Sequence, residues 1–187
     1  RSRPPKAPSV RPSIRVLLDG MTGAPAYVRD ERANILAAND LCFALYDGIL
    51  DPDRLPFNLA RFLFLDARAH AFFLDWDEVA DSSVGALRGV AGRHPLDRSL
   101  TDLIGELSAR SDPFATKWAQ HNVRLHRTAT KRLHNSVIGD IELTGDSLEL
   151  PGDGLTIVAY TAAVGSAAEE KLALLASWQR TDVPARP

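Results

Sequence analysis

Three histidines, His121, His126 and His134, stand close together in the chain, interleaved with Arg124, Arg127, Lys131 and Arg132. A zinc centre built on them would want a further thiolate or carboxylate close by, and no Cys, Asp or Glu occurs between Trp118 and Ile138. No metal site is expected. Two readings of the basic stretch stay open: a solvated strand face, or a cationic rim that receives an acidic head group. The second would rest on charge-assisted hydrogen bonds, which are strong in a partly dry cleft. Asp75, Asp77 and Glu78 form an acidic cluster whose D-x-x-E spacing is that of a helix capping box, which accounts for it without chemistry. Ser166 lacks the flanking glycines of a nucleophile elbow, and no G-x-G-x-x-G, phosphate-binding loop or C-x-x-C occurs. No cofactor is expected. An enzyme with His121 or His134 as general base would have no recognisable nucleophile or cofactor motif to work with.

These groups need elements to position them. Ile14, Leu17, Leu18 and Met21 recur at helical spacing, and Ala26–Val28 and Ile35–Ala38 flank a polar turn as in a hairpin. Asn39 and Asn58 stand where each can cap a helix, Asp112-Pro113 reads as a helix start, and Leu100, Leu103, Ile104 and Leu107 form a helical stripe. Trp118 and His121, three apart, share a face. After about Val123 the period shortens to two, with turns expected at Thr144–Asp146 and Pro151–Gly154. LTIVAYTA is apolar on both faces, as a central strand is, and Ser166-x-x-Glu169 caps a final helix. The expected architecture is α+β: a five-stranded antiparallel sheet covered by helices, with a helical insert between strands two and three. Phe43, Phe57, Phe62, Phe64, Phe72, Phe73 and Trp76 all precede residue 77 and can fill a core or line a hollow beneath the sheet.

The 187 residues suit one domain, and 22 Lys+Arg against 24 Asp+Glu leave no global basic field for nucleic acid. A single cysteine, Cys42, cannot form an internal disulfide. No apolar run approaches the roughly 20 residues that span a bilayer, so the expected setting is cytoplasmic, without a membrane partner. Residues 1–13, with four prolines and four basic side chains, read as a linker, 14–178 as the folded domain and 179–187 as a flexible tail.

Five segments, PAYVRDERANILAANDLCFALY, NLARFLFLDARAHAFFLDWDEVA, GRHPLDRSLTDLIGELSARSDPFATKWAQHNV, TKRLHNSVIGDIEL and LTIVAYTAAVGSAAEEKLALLAS, resemble in order the C-terminal ligand-binding domain of MmyB-like transcription regulators. The resemblance implies a PAS-like fold and an upstream XRE-type helix-turn-helix domain. DNA would be touched only through that domain, in a homodimer. It also implies a sensor whose cavity takes a small hydrophobic acid such as a fatty acid. The family's Asn-Leu-x-Arg, Trp-x-x-His and Lys-x-x-His correspond to Asn58–Arg61, Trp118–His121 and Lys131–His134. With Phe62, Phe64 and Trp76 drawn from the aromatic supply above, the expected ligand-binding set is Arg61, Phe62, Phe64, Trp76, Trp118, His121, Lys131 and His134. The family's usual Pro after the last His is Asn135, a change expected to loosen the backbone there, and its usual Glu-Pro is Ala163-Val164. The alternative is a PAS-like dimerisation scaffold without a physiological ligand.

Overall fold

A computed structural model describes residues 9–120 and 128–182; His121 and His126 lie outside the described residues. Helix α1 (Pro12–Gly20) leads into a hairpin of β1 (Ala26–Asp30) and β2 (Asn34–Ala38). Then come α2 (Asp40–Leu45), a short β3 (Phe57–Asn58), and five helices: α3 (Leu59–Leu65), α4 (Arg68–Phe72), α5 (Trp76–Arg93), α6 (Arg98–Arg110) and α7 (Asp112–Ala119). Strands β4 (Thr128–Asn135), β5 (Gly139–Leu150) and β6 (Leu155–Thr161) precede α8 (Ala167–Asp182). The strands form one antiparallel sheet in the order β3-β2-β1-β6-β5-β4, so the first and last long strands, β1 and β6, meet at its centre. This is the α+β architecture expected, an antiparallel sheet covered by helices, with six strands in place of five. The extra one is two residues long, too short to show alternation. It forms because the Asn58 amide donates to Arg32 O and Asn34 Oδ1 while its Oδ1 caps α3 at Arg61 N.

Period-two alternation sorts the central strands into two faces. Ala26, Val28, Leu155 and Ile157 pack with Val10, Ile14 and Leu18 on the outer face, under α1. Tyr27, Val158, Tyr160, Leu133, Ile141 and Leu143 turn inward against α2, α3, α4 and α8. A third cluster fills the space among α3, α5, α6 and α7. Folding reaches back to Val10, which is buried, and α1 starts at Pro12.

Three local expectations are corrected. Thr144–Asp146 does not turn: it runs through the middle of β5, where Gly145 is paired with Ala129 on one side and Tyr160 on the other. Two flanking strands supply the ladder bonds that hold this stretch extended despite its turn-like composition. Asp75 makes no cap, since its carboxylate is drawn to Arg132 at 3.3 Å, and Asp77 pairs with Lys117 at 3.3 Å. The cap of α7 is Ser111, whose Oγ accepts from Phe114 N, so Asp112 falls inside the helix.

Two buried asparagines tie helices to the sheet. Asn39 Oδ1 accepts from Ala26 N and Cys42 N, while Nδ2 donates to Met21 O and Ala24 O. Asn135 does the opposite of loosening its backbone. Its Oδ1 accepts from Val137 N and Ile138 N, and its Nδ2 donates to Ala44 O and Leu45 O, which fastens the β4–β5 turn to the end of α2. Removing this amide strands buried carbonyls. Asn135→Ala is therefore expected to cost about 2 kcal/mol in urea unfolding, while Ser136→Ala at the exposed neighbour stays within about 0.5 kcal/mol.

Candidate functional site

The inner face of the sheet and the helices over it do not close completely. Between them lies a cavity of about 140 Å³. Its floor is Tyr27 and Arg29 of β1, Val158 of β6, Gly145 and Ser147 of β5, and Lys131 of β4. Its roof is Leu59 and Leu63 of α3 with Val79, Ser82, Ser83, Ala86 and Leu87 of α5. The α5 residues recur at helical spacing, so one face of that helix looks into the hollow. Gly145 is part of the reason the hollow exists. It sits opposite Tyr160 and brings no side chain to the inner face, and Lys131 reaches across so that its Nζ lies 5.7 Å from the Tyr160 ring centroid.

The electrostatics of this cavity are one-sided. Lys131 and Arg29 are both half-buried in it. Among the described residues no carboxylate pairs with either; the Arg29 guanidinium donates to Asp30 O. Glu31 also lines the cavity but is already held by Arg93 at 3.0 Å and by His94 at 3.1 Å. Burial, and secondarily the positive charge of Arg29, push the Lys131 ammonium from its ordinary 10.5 down to about 8. An apolar wall with two cations and the hydroxyls of Ser82, Ser83 and Ser147 is complementary to a small molecule with one anionic head. Behind the wall the core is tight: the Tyr46 and Tyr160 hydroxyls lie 3.0 Å apart, and burial raises both tyrosines well above the ordinary range.

Of the seven described residues among the eight singled out from sequence, Lys131 lines this cavity and the other six do not. Arg61 lies exposed on α3 and its Nε meets Glu106 at 2.8 Å, which holds that carboxyl below its usual range. Phe62 is buried in the core, 6.2 Å from both Phe72 and Phe73 between ring centroids. Phe64 meets Trp76 and Phe114 edge-on, at 5.7 and 5.0 Å. Trp76 donates to Leu63 O and stacks on His70. Trp118 stacks on Phe114 under the Arg88 guanidinium. His134 is exposed and bonded to Asp140 at 2.6 Å. His121 lies outside the described residues. Arg29 and the α5 serines were passed over in the sequence. The signal was there: Arg29 is two residues from Tyr27 on a strand face that is otherwise apolar, and Ser82 and Ser83 interrupt the inward stripe of α5. Among the described residues no group of three or more His, Cys, Asp or Glu is placed to hold a metal ion.

The family model for the MmyB-like transcription regulator ligand binding domain matches residues 10–175. The chain belongs to that family. The MmyB-like domain is thus a ligand-binding, regulatory one by its kinship. It is similar in structure to the PAS domain from Bordetella pertussis BvgS, with 14% identity and a TM-score of 0.37, over 90% of this chain and 96% of that one. No curated protein matches it. Among the described residues no helix is long and apolar enough to cross a membrane.

The depressed Lys131 has a consequence for stability. Above about pH 8 the folded MmyB-like domain releases a proton that the unfolded chain keeps until about 10.5, so stability rises with pH in that window. Buried Tyr27, Tyr46 and Tyr160, ionised in the unfolded chain but held neutral in the fold, oppose the rise above about pH 10. Urea unfolding should show wild type gaining about 1 kcal/mol between pH 7 and about 9.5, with Lys131→Met lacking the gain and more stable at pH 7.

Proposed function

We propose that this MmyB-like domain is the sensor of a cytoplasmic DNA-binding regulator and that it takes a small hydrophobic acid, of which a fatty acid is one kind, into the cavity between the sheet and α3/α5. The observation that carries this reading is the pair of cations, Lys131 and Arg29, that no carboxylate among the described residues pairs, on the floor of a hollow roofed by Leu59, Leu63, Val79 and Ala86. Burying each of two charges without a counter-ion lowers stability, and a bound carboxylate relieves that cost. Lys131 is the head-group contact in this reading, Arg29 the second cation, and the roof of α3 and α5 covers the apolar body. Arg61, Phe62, Phe64, Trp76, Trp118 and His134 act from outside the cavity: they set the packing and pairing of α3, α5, α7 and the β4–β5 hairpin around it.

A ligand in this position bridges β1 and β4 to α5, elements that are otherwise joined through the core. Its binding favours one arrangement of these elements over another by the difference in its contacts. The full regulator is read as a homodimer that meets DNA through an XRE-type helix-turn-helix domain. Val16 and Leu17, 71% and 49% exposed on α1, offer an apolar strip for pairing, flanked by Arg15 and Asp19, which face each other when two α1 helices run antiparallel about Leu17. That strip also favours the scaffold reading, in which pairing occurs without a ligand.

Thermal unfolding of the purified chain with millimolar octanoate, decanoate, dodecanoate, benzoate and phenylacetate, at pH 7, decides between them. The sensor reading expects at least one acid to raise Tm by several degrees in wild type and not in Lys131→Met. An unchanged Tm with every hydrophobic acid, in a chain that still dimerises, leaves only the scaffold.

A further inference from the structure

The cavity does more than admit an acid; its size and its back wall restrict which one. We infer that the ligand is a compact carboxylate whose apolar body is about the size of one six-membered ring, rather than a long-chain acid. The inference rests on the sensor reading and narrows its substrate class.

The first observation is volume. The hollow measures about 140 Å³, and an apolar cavity of about 150 Å³ takes up one benzene. The second is what lies behind it. The wall formed by Tyr27, Val158 and Leu63 backs directly onto a packed aromatic core, with Tyr46 and Phe72 ring centroids 4.6 Å apart and Phe72 and Phe73 4.9 Å apart. With its carboxylate at Lys131 and Arg29, a chain of twelve or more carbons can run inward only by displacing these rings and parting the Tyr46 and Tyr160 hydroxyls, which bond each other at 3.0 Å in a fully buried setting; otherwise most of its length stays outside the hollow. Close-packed interiors resist such displacement. The third is charge. Two cations and one carboxylate, Glu31, line the hollow, and Glu31 is already bonded to Arg93 and His94, so both cations are left to face an anionic ligand.

A ring-sized acid bound this way holds its carboxylate against Lys131 and Arg29 with its ring under Leu59, Val79 and Ala86. Binding keeps the Lys131 ammonium protonated, so above about pH 8 each bound acid is accompanied by about one proton taken up from solvent.

Isothermal titration of the intact chain at pH 7 with benzoate, phenylacetate, benzyl alcohol, dodecanoate and hexadecanoate tests this. Benzoate or phenylacetate is expected to bind at least tenfold more tightly than either long acid and than uncharged benzyl alcohol. Lys131→Met is expected to weaken the ring acids at least tenfold, and Leu59→Ala, which deepens the hollow, to shift preference toward larger bodies. Long acids binding as tightly as benzoate would overturn the compact-ligand inference while leaving the sensor reading in place. Benzyl alcohol binding as tightly as benzoate would overturn the charge argument, and ring acids binding equally well to Lys131→Met would place them elsewhere. No heat or saturation with any acid would sink the inference and the sensor reading together.

Discussion

A lysine ammonium facing the inside of a sheet, without a counter-ion among its described neighbours, is the constraint around which this molecule is arranged. An unpaired half-buried cation is costly, and folding tolerates it only because the surrounding core repays the loss. Lys131 sits beside Leu133 on the innermost row of β4, and Arg29 beside Tyr27 on β1. Both positions would be filled by aliphatic side chains in a sheet whose sole task was to make a core. Their presence keeps water and anions welcome at one end of an interior that is otherwise sealed by tyrosines and phenylalanines.

The topology explains how two distant parts of the sequence converge on that spot. Strands β1 and β6 pair at the centre, and β5 and β4 extend from β6, so residues from each end of the chain share one floor. The insert supplies α5, whose inward face alternates small and apolar groups, and Gly145 leaves the gap into which Lys131 extends. On the opposite face α1 covers Ala26, Val28 and Ile157. The central strands are therefore buried on both sides, which is why LTIVAYTA is apolar throughout. The asparagine amides of Asn39 and Asn135 then fix α1, α2 and the β4–β5 turn to this frame.

Much of the fold was legible because it depends on period. The β1–β2 hairpin, the stripe of α6, the caps at Asn39, Asn58 and Ser166 and the doubly buried last strand all follow from spacing and turn chemistry. Thr144–Asp146 was misread because turn-forming residues inside a strand are held by two neighbours that only the tertiary structure supplies. Asp75 was misread because a cross-element ion pair with Arg132 outcompetes a local cap. The site was less legible. Phe62, Phe64, Trp76 and Trp118 are large and aromatic, and so drew notice, yet size and apolarity alone direct a side chain into a core. Arg61 carries a family motif but finds Glu106 outside. The readable signal was a cation two residues from an aromatic on a strand's buried face, as at Tyr27/Arg29 and Lys131/Leu133, and it applies to both cations of the cavity.

The central claim is that Lys131 is a desolvated cation awaiting an anion. A proton-coupled carbon NMR titration of its ε-methylene, assigned with Lys131→Met, measures this directly. The account predicts a midpoint near pH 8 in the unliganded chain and a clear upward move toward 10.5 when benzoate saturates the cavity. A midpoint at 10.5 that no acid displaces would describe an ordinary solvated lysine and contradict the account.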